Sequence, residues 1–512
     1  MADPLFDILT EDVFTVEDLA GTRAKLSLPG VLARLGAGTD TEFCALQAHQ
    51  QHPWFAFLVQ VAALALHRAG ETSPAQSEAR WRELLLALTN GAREPWCLVV
   101  PDLSKPAFFQ PPVPEGKLDD FQDPNPCPDT RDVVIMTRNH DQKAARVHHP
   151  RPEHWAYSLV SVQTMDGYRG VGNHGVARMK GGYGSRPGVS FAPDARWAGR
   201  FLRDVAMLLE SRPALLEKYG YADHGHALLW RLPWDGKPES ALGLRDCDPF
   251  FIETCRRFRL VFQQGSLASR FRPTATGRLK GIEGGATGDP WAPVDADAGV
   301  LTIGERGFDY RKTQELLAAQ DWEAPGLELR PEDGKEPVFL ARVLARGQGK
   351  TAGLHERAVR IPPRMRATFG ARAQRDRLGI LSRARVERAG EVQKKALYPA
   401  LKTLLNAGDT GSNRDLKDKP SRWTERYDRS VDACFFDQLW DAWEAPSPQE
   451  AEASWLKALI AIARGVLAQA QDEVALPTQH RMRAFAASER VFEGSARKNF
   501  PEAFPPKGES NG

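Results

Sequence analysis

The sequence is poor in cysteine, and its cysteines form no pattern that a disulfide framework or a thiolate zinc site would use. The 512-residue chain has six, none in a C-x-x-C pair: Cys44, Cys97, Cys127, Cys247, Cys255 and Cys434. This scatter fits a reducing compartment, so we expect a cytoplasmic protein with no metal or other cofactor. Neither Ser185 nor Ser190 lies in a G-x-S-x-G motif, and we find no indication of a catalytic nucleophile.

Long hydrophobic runs are missing as well. The longest, over residues 54–66, has thirteen residues and contains a glutamine. It is too short to span a membrane, and its spacing instead predicts a buried helix within residues 43–68. The N-terminus, MADPLFDILTEDVF, is acidic where a signal peptide would be basic, so we expect no secretion signal.

Positive charge is concentrated in one part of the chain. The formal net charge is only +2, yet residues 357–402 contain thirteen Lys or Arg and three Asp or Glu. Such a segment on a nearly neutral protein indicates a surface for a polyanion, with a merely solvated helix surface as the alternative. The predicted basic face consists of Arg372, Arg375, Arg383, Arg385, Lys394 and Lys395.

The character of the chain changes near residue 367. Short strand-like pieces, helices and proline-dense connectors precede it, whereas four apolar-periodic segments follow it. Those segments predict helices at about 369–406, 421–444, 448–474 and 477–498. Gly379, Gly390 and Pro399 should break or bend the first helix. The expected fold class is α+β, with a mixed domain over residues 1–366 and a C-terminal four-helix bundle over 367–512.

One segment is both glycine-rich and basic. Residues 167–187, GYRGVGNHGVARMKGGYGSRP, include seven glycines, one histidine, four basic side chains and no acidic one. Glycine lets the backbone approach a ligand closely, which suits the narrow minor groove of DNA, although a flexible surface loop is the plain alternative. The segment contains G-x-G-x-x-G, but it lacks the preceding strand and following helix of a dinucleotide site.

Two other patterns are weaker. Five of the twelve histidines, His140, His148, His149, His154 and His174, invite a metal-site interpretation, but they lack the spacing of known ligand motifs. The stretch RGQGKTAGLHER, residues 346–357, has the GKT of a phosphate loop without its full frame. An exposed Gln/Gly/Lys turn of this kind is better interpreted as an element that contacts or wedges nucleic acid.

Several segments, taken in order, resemble one protein family. They are ALQAHQQHPWFAFLVQVAALALHRAG, PDLSKPAFFQPPVPEG, VVIMTRNHDQKAAR, QTMDGYRGVGNHGVARMKGGYGSRP and DPFFIETCRRFRL. With the helical C-terminal quarter, they resemble the CasA family, the large subunit of the type I-E CRISPR Cascade complex. The resemblance runs over most of the chain, and its segments are not catalytic signatures.

The resemblance implies a non-enzymatic role and a set of partners. A CasA-like subunit would read the protospacer-adjacent motif on double-stranded target DNA, start unwinding and help hold the displaced strand. It would contact the 5′ handle of a guide RNA and other Cascade subunits, while another subunit or a recruited helicase-nuclease cuts the DNA. No membrane partner is implied.

The resemblance also implies site residues. The glycine loop corresponds to Gly170, Val171, Gly172 and Asn173, and the lysine-bearing loop to Arg278 and Lys280. The β-hairpin wedge corresponds to Gln348, Gly349, Lys350 and Thr351, and its tip departs from the family pattern. The loop that contacts guide RNA and neighbouring subunits corresponds to Arg138, Asn139, His140 and Lys143.

One departure and two alternatives complete these expectations. Several CasA-like proteins carry a zinc-binding cysteine cluster, whereas only Cys247 and Cys255 lie in that region here, so we expect no zinc. The alternatives are a metal-dependent nuclease that uses the histidine cluster, and a purely structural docking subunit whose basic segment is solvated surface.

Overall fold

The chain folds into two compact units. A computed structural model describes residues 3–132, 147, 149–180, 184–280, 282–318, 321–347, 350–408 and 420–504. The first unit comprises Met1–Phe308 and Gln320–Pro363, and the second comprises Asp309–Ala319 and Arg364–Gly512.

The segment 309–319 joins the second unit, although the sequence analysis assigned it to the first domain. Its side chains pack within that unit: the ring centroids of Tyr310 and Phe435 are 5.0 Å apart. Arg311 adds an ion pair of 2.6 Å with Asp428. Long-range contacts of this kind leave no local pattern in the sequence.

The helices of the first unit include one that is buried over most of its length. They are α1 Leu28–Gly36, α2 Gln51–Ala69, α3 Glu78–Leu88, α4 Asp129–Asp132, α5 Pro152–Thr164 and α6 Trp197–Tyr219. Helix α2 is the predicted buried helix, and residues 54–66 within it are at most 2% exposed. It begins later than predicted, because residues 48–50 form a 3₁₀ turn and residues 42–43 a short strand.

The strands of the first unit are short except for one hairpin. They are β1 Leu5–Asp7, β2 Phe14–Glu17, β3 Arg23–Leu26, β4 Glu42–Phe43, β5 Cys97–Val99, β6 Gly188–Ala192, β7 His226–Leu228, β8 Leu242–Gly243, β9 Cys247–Ile252, β10 Arg257–Gln263, β11 Ser266–Arg272, β12 Leu279–Lys280, β13 Val294–Asp295, β14 Gly299–Val300, β15 Val338–Gly347 and β16 Lys350–Arg360.

The pairing of these strands places the hairpin beside the glycine-rich segment. Two sheets have three strands, in the orders β3-β2-β4 and β6-β15-β16, and the other strands pair in twos. Strands β15 and β16 form the long antiparallel hairpin, and β15 also pairs with β6. Since β6 begins at Gly188, directly after the glycine-rich segment, the sheet joins that segment to the hairpin.

The second unit is helical, as predicted. Its helices are α7 Tyr310–Leu317, α8 Arg366–Gly370, α9 Arg372–Val392, α10 Tyr398–Leu405, α11 Ser421–Glu444, α12 Pro448–Glu473 and α13 Thr478–Asn499. The four predicted helices match α9–α10, α11, α12 and α13 within a few residues at each end. No helix in the part of the chain that the structure describes has both the length and the hydropathy to cross a membrane.

The first C-terminal helix is interrupted once, by a π turn before Pro399, whereas α9 continues through Gly379 and Gly390. Residues Gln393–Leu397 form the π turn between α9 and α10, and Pro399 lies in the first turn of α10. Proline cannot donate a backbone hydrogen bond and its ring displaces the carbonyl four residues earlier, so the ladder widens there. The N–H of Tyr398 accordingly donates to the carbonyl of Gln393, five residues back.

Arg385 corrects the predicted basic face. Its side chain is buried, with 1% of the residue exposed, and donates to the backbone carbonyls of Gln438 and Ala451. Its own carbonyl accepts from the indole N–H of Trp455. Arg385 therefore joins three helices inside the unit, and we no longer propose it as a nucleic-acid contact.

The burial of Arg385 predicts different results for two neighbouring arginines. Arg385→Ala should lower the free energy of unfolding by about 2–4 kcal/mol, because two part-buried carbonyls lose a side-chain hydrogen bond and the packing of a buried side chain is removed. The midpoint of thermal unfolding should fall by roughly 5–10 °C in calorimetry. Arg383→Ala, the control on the exposed face of the same helix, should change the stability by less than about 0.5 kcal/mol. Equal effects of the two substitutions would contradict the assigned burial.

Candidate functional site

The centre of the glycine-rich segment is a tight turn that projects from the first unit. The N–H of Asn173 donates to the carbonyl of Gly170 at 2.9 Å, which closes a four-residue β-turn. Gly172 occupies the third position with φ of +77°, the left-handed conformation that a type II turn requires there. Val171, at the tip, is 96% exposed. The predicted glycine loop is thus an ordered turn with its backbone at the surface.

The turn rests on the chain that follows β11. The N–H of Thr274 donates to the carbonyl of Gly172 at 3.0 Å. A Cβ atom on Gly172 would lie 2.7 Å from the Cβ of Pro273, so only glycine fits this contact. Residues 273–277 lead directly into the predicted lysine loop, and the structure therefore brings two of the expected DNA-contacting loops together.

The base of the segment is closed by backbone hydrogen bonds. The N–H of Arg186 donates to the carbonyl of Met165, and the N–H of Val176 donates to the carbonyl of Asp166, both at 2.8 Å. The ends of the glycine-rich segment are therefore adjacent, and the segment leaves and re-enters the body of the unit at one place.

The basic side chains of the glycine-rich segment mostly point into the protein, away from any ligand at its surface. Arg178 and Arg186 are 3% and 2% exposed. Both pair with the buried carboxylate of Asp289, through contacts of 3.0 and 2.6 Å. Arg178 also pairs with Glu253 at 3.2 Å.

Arg169 and Lys180 differ in exposure. The Arg169 side chain is 15% exposed and forms an ion pair with Asp166. Burial lowers its pKa to about 9, so it remains charged at neutral pH. Lys180 is exposed, although its amine also donates to the carbonyl of Ala298.

The two carboxylates that hold the segment respond differently to burial. Burial raises the pKa of Glu253, which also accepts a hydrogen bond of 2.7 Å from the backbone N–H of Ala177. Burial acts in the same direction on Asp289, but Arg186 and Arg178 outweigh it and hold its pKa below the usual value. Asp289 is therefore the stronger electrostatic support of the segment.

The lysine loop divides into one buried and one exposed residue. Arg278 is 1% exposed, donates to the carbonyls of Leu232 and Pro233, and lies 5.2 Å from the ring centroid of Trp234. Burial lowers its pKa to about 10. It acts as an internal clamp, so we no longer propose it as a DNA contact. Lys280, at the end of β12, is exposed.

The predicted wedge lies at the end of the β15–β16 hairpin. Gly347 pairs with Lys350, and Arg346 with Thr351, across the antiparallel ladder. Gln348 and Gly349, and the side chain of Lys350, lie outside the described residues. The resemblance implied a β-hairpin here, but the sequence analysis gave no bounds for its two strands.

Arg346 turns from the hairpin into the protein. It is 8% exposed, and its guanidinium lies 2.6 Å from the carboxylate of Asp166, directly before the glycine-rich segment. The same guanidinium donates to the carbonyl of Asp132 at 2.6 Å. The hairpin and the glycine-rich segment thus share one carboxylate.

The predicted guide-RNA loop, Arg138, Asn139, His140 and Lys143, lies outside the described residues, and that assignment remains a prediction. In the second unit, Arg372, Arg383 and Lys394 are exposed and Arg375 is half-buried. Lys395 is exposed but pairs with Glu391 in the same helical segment. The basic face therefore keeps most of its predicted members.

Metal-capable side chains meet at a different place from the predicted histidine cluster. Among the described residues, one group offers three ligand atoms within 4.8 Å of one another: His67, Asp223 and His224. Asp223 already pairs with Arg212 at 2.6 Å and accepts from His67 at 3.2 Å. These contacts account for the group as a surface ion-pair network.

The described members of the predicted histidine cluster make other contacts. His154 accepts the backbone N–H of Arg151 at the start of α5. His174 packs against Tyr168, with ring centroids 5.9 Å apart. His149, the third described member, is exposed, and none of the three belongs to the group above, so the described residues offer the nuclease alternative no assembled site.

The carboxylates at the base of the site were missed in the sequence analysis. Asp166, Glu253 and Asp289 lie in stretches that carry no motif, and the last two are more than 60 residues from the arginines they contact. The sequence offered one hint, the lack of acidic residues within the basic segment itself. If the arginines of such a segment are buried, carboxylates from other parts of the chain must pair with them.

Comparison with known structures gives one consistent result. A crystal structure of Cse1 from Acidimicrobium ferrooxidans matches with a TM-score of 0.62 at 16% identity, covering 99% of this chain and 100% of that one. Cse1 from Thermobifida fusca matches with a TM-score of 0.62 at 15% identity, over 98% and 99% of the two chains. This chain has the Cse1 fold, also called CasA. The sequence resemblance and the α+β class are confirmed at that level.

The Cse1 fold also occurs in a larger assembly. A chain in a structure described as a CRISPR RNA-guided surveillance complex matches with a TM-score of 0.58 at 14% identity, over 96% of this chain and 99% of that chain. No family model and no curated protein matches the sequence. The likeness is therefore visible in the fold rather than in sequence identity.

The support of the glycine-rich segment can be tested by proteolysis. Asp289→Asn should leave Arg178 and Arg186 buried without a full countercharge, at a cost of about 3–5 kcal/mol. Brief trypsin treatment followed by mass spectrometry should then detect new cleavage after Arg178, whereas Arg186 precedes Pro187 and its bond resists trypsin in any state. Asp297→Asn, an exposed control nearby, should give the unmodified pattern. Continued protection of Arg178 in Asp289→Asn would contradict the assigned support.

Proposed function

We propose that this chain is the non-catalytic large subunit of an RNA-guided CRISPR surveillance complex of the Cascade type. In that role it recognises a short motif beside the target in double-stranded DNA, starts unwinding and helps hold the displaced strand. The match over nearly the whole length of Cse1 structures supports the class of complex. The exposed turn at residues 170–173 carries the proposal of DNA recognition.

The turn has the dimensions and chemistry for the minor groove. That groove is about 6 Å wide, which excludes a helix but admits a backbone turn with two glycines. Val171 would enter first, and apolar side chains commonly contact the minor groove in this way. Base edges there distinguish A·T from G·C but little more, so recognition of this kind tolerates related motifs.

The buried charged groups beneath the turn favour binding of a polyanion, although they do not contact it. Five guanidinium groups lie there, those of Arg169, Arg178, Arg186, Arg256 and Arg346, against the carboxylates of Asp166, Glu253 and Asp289. The net charge of these eight groups is positive. Because they are buried, solvent screens their electric field only weakly. Lys280 supplies an exposed cation at the end of the neighbouring strand.

The hairpin suits the opening of the duplex. Its two strands extend ten and eleven residues, which makes it the longest paired element described in the first unit. Separating DNA costs about 1.4 kcal/mol per stacking step, and pairing with the guide returns a similar amount. A protein element therefore needs only to start the opening, while the exposed cations of α9 could bind the displaced strand.

The tip of the turn gives the sharpest test of recognition. Val171→Asp should weaken binding by about tenfold or more, because a carboxylate would face the phosphates and the acceptor-lined groove. Val171→Thr keeps the shape without charge and should remain within about threefold of the unmodified protein. Both substitutions are at a residue that is 96% exposed, so neither should disturb folding.

The measurement uses the complex purified with its guide RNA. Guide-matched duplexes with randomised flanking bases are bound, and the enriched flanks define the motif and its affinity. Loss of flank preference in Val171→Asp, with retained subunits and RNA, would support the proposal. An unchanged preference would exclude the turn as the recognition element. Purification of the unmodified chain without RNA or partner subunits would argue against the proposed complex.

Lys280 gives an independent test of phosphate contact. Lys280→Ala should weaken duplex binding by about tenfold and reduce the slope of log affinity against log salt by about one. Lys335→Ala is the matched control, since Lys335 is exposed just before β15 and that strand of ten residues places it about 30 Å from the hairpin tip. A loss of affinity that does not depend on salt, or an equal loss in both variants, would contradict the contact.

A further inference from the structure

One buried carboxylate contacts both elements to which we assign a role on DNA. Asp166 is 2% exposed. Its Oδ1 atom lies 2.6 Å from Arg346 of the hairpin. Its Oδ2 atom pairs with Arg169 of the glycine-rich segment and lies 3.5 Å from Arg256. Arg256 in turn donates to the carbonyl of Gly167, the first residue of that segment.

A β-bulge directs Arg346 toward this carboxylate. The register of the hairpin shifts between Ala345 and Arg346, which leaves Ala352 without a partner across the ladder. A bulge bends its strand and re-aims the side chains beside it. Arg346 therefore reaches the buried carboxylate from a position only one residue before the last described pair of the ladder, Gly347 with Lys350.

The electrostatic balance makes the carboxylate essential to this arrangement. Three guanidinium groups, those of Arg169, Arg256 and Arg346, converge on one carboxylate in a site with little access to water. Without its negative charge, they would repel one another with poor screening. The repulsion would act directly between the hairpin and the base of the glycine-rich segment.

We propose that Asp166 is a positioning residue that fixes the hairpin tip relative to the glycine turn. A duplex bound at the turn then meets the hairpin at one defined place, so that motif recognition leads to opening beside the motif. This inference rests on the proposed function, which assigns recognition to the turn and opening to the hairpin. Asp166 itself is buried and touches no DNA.

The first experiment measures the geometry without DNA. Nitroxide labels are placed on the full chain at Val171→Cys, in the turn, and at Ala352→Cys, in the hairpin. Cys44, Cys127 and Cys434 are replaced by serine, because they are exposed or half-buried. Cys97, Cys247 and Cys255 can remain, since burial raises the pKa of each thiol to about 12 and keeps it unreactive.

Pulsed electron spin resonance should then give a narrow distance distribution for the labelled protein. Asp166→Asn should make the distribution about twofold wider, because the guanidinium groups separate when the carboxylate is lost. Arg346→Met, which removes the hairpin side of the contact, should widen it as well. Asp333→Asn is the control, since Asp333 is a buried carboxylate that pairs with Arg203 at 2.9 Å and precedes β15 at the end opposite to the hairpin tip.

The second experiment separates opening from recognition in the assembled complex. The probe is a guide-matched duplex that carries the enriched flanking sequence and 2-aminopurine in the first base pair of the target. The fluorescence of 2-aminopurine reports the opening of that base pair. Asp166→Asn should keep the affinity for the flank within about threefold, because the turn closes through its own hydrogen bond, while opening slows about tenfold. Arg346→Met should do the same, and the double variant should lose little more than either single variant.

The outcomes distinguish this inference from the proposed function. An unchanged distance distribution in both Asp166→Asn and Arg346→Met overturns the positioning role, whatever the complex does with DNA. Equal losses in the affinity for the flanking motif and in the rate of duplex opening would also overturn it, since recognition would then not be separable from opening. If the unmodified complex fails to open the probe, the proposed function fails, while the distance measurement still tests the coupling.

Discussion

The arrangement of the first unit depends on buried carboxylates that hold arginines from distant parts of the chain. Asp166, Glu253 and Asp289 are each at most 3% exposed and together pair with five guanidinium groups. A buried ion pair adds little net stability compared with an apolar contact, but losing one partner is costly. Such pairs therefore fix where segments lie, and here they fix the base of the glycine-rich segment against β9, β15 and the loop at residue 289.

This arrangement separates two tasks within one segment. Charged side chains point inward and hold the base, whereas glycine backbone and Val171 remain outside. Glycine ordinarily raises the entropy that a loop loses on binding. The backbone hydrogen bonds at the base of the segment and the contact with Pro273 limit that freedom before any ligand binds. The conformational entropy lost on binding is therefore smaller. A glycine-rich loop can thus be both open to a ligand and well ordered.

The features that could be predicted from the sequence are those with a local cause. Helical periodicity located the C-terminal helices, and Pro399 accounts for the interruption between α9 and α10. Arg385 could have been recognised by the same periodicity, because it lies seven residues from both Leu378 and Val392 on one buried stripe. Arg383, two residues away, is rotated by about 200° and faces solvent.

The orientation of the other arginines could not be predicted in this way. Whether Arg178 or Arg278 faces a ligand or the interior depends on partners such as Glu253 and Trp234, which local sequence does not reveal. The turn at residues 170–173 could be located from the sequence, since its glycine content is itself the structural requirement, while its role on DNA stays a prediction. Its support by Asp166 was not, because a single aspartate before a loop has no distinctive pattern.

The adjacent ends of the glycine-rich segment make it an exchangeable module. Backbone hydrogen bonds at Met165, Asp166, Val176 and Arg186 close the base of the segment, and they do not depend on the side chain at the tip. Substitutions of Val171, at the tip, can therefore accumulate while the scaffold below is preserved, whereas Gly172 is fixed by its contact with Pro273. In the proposed role on DNA, this separation lets the recognised motif change while the fold is kept.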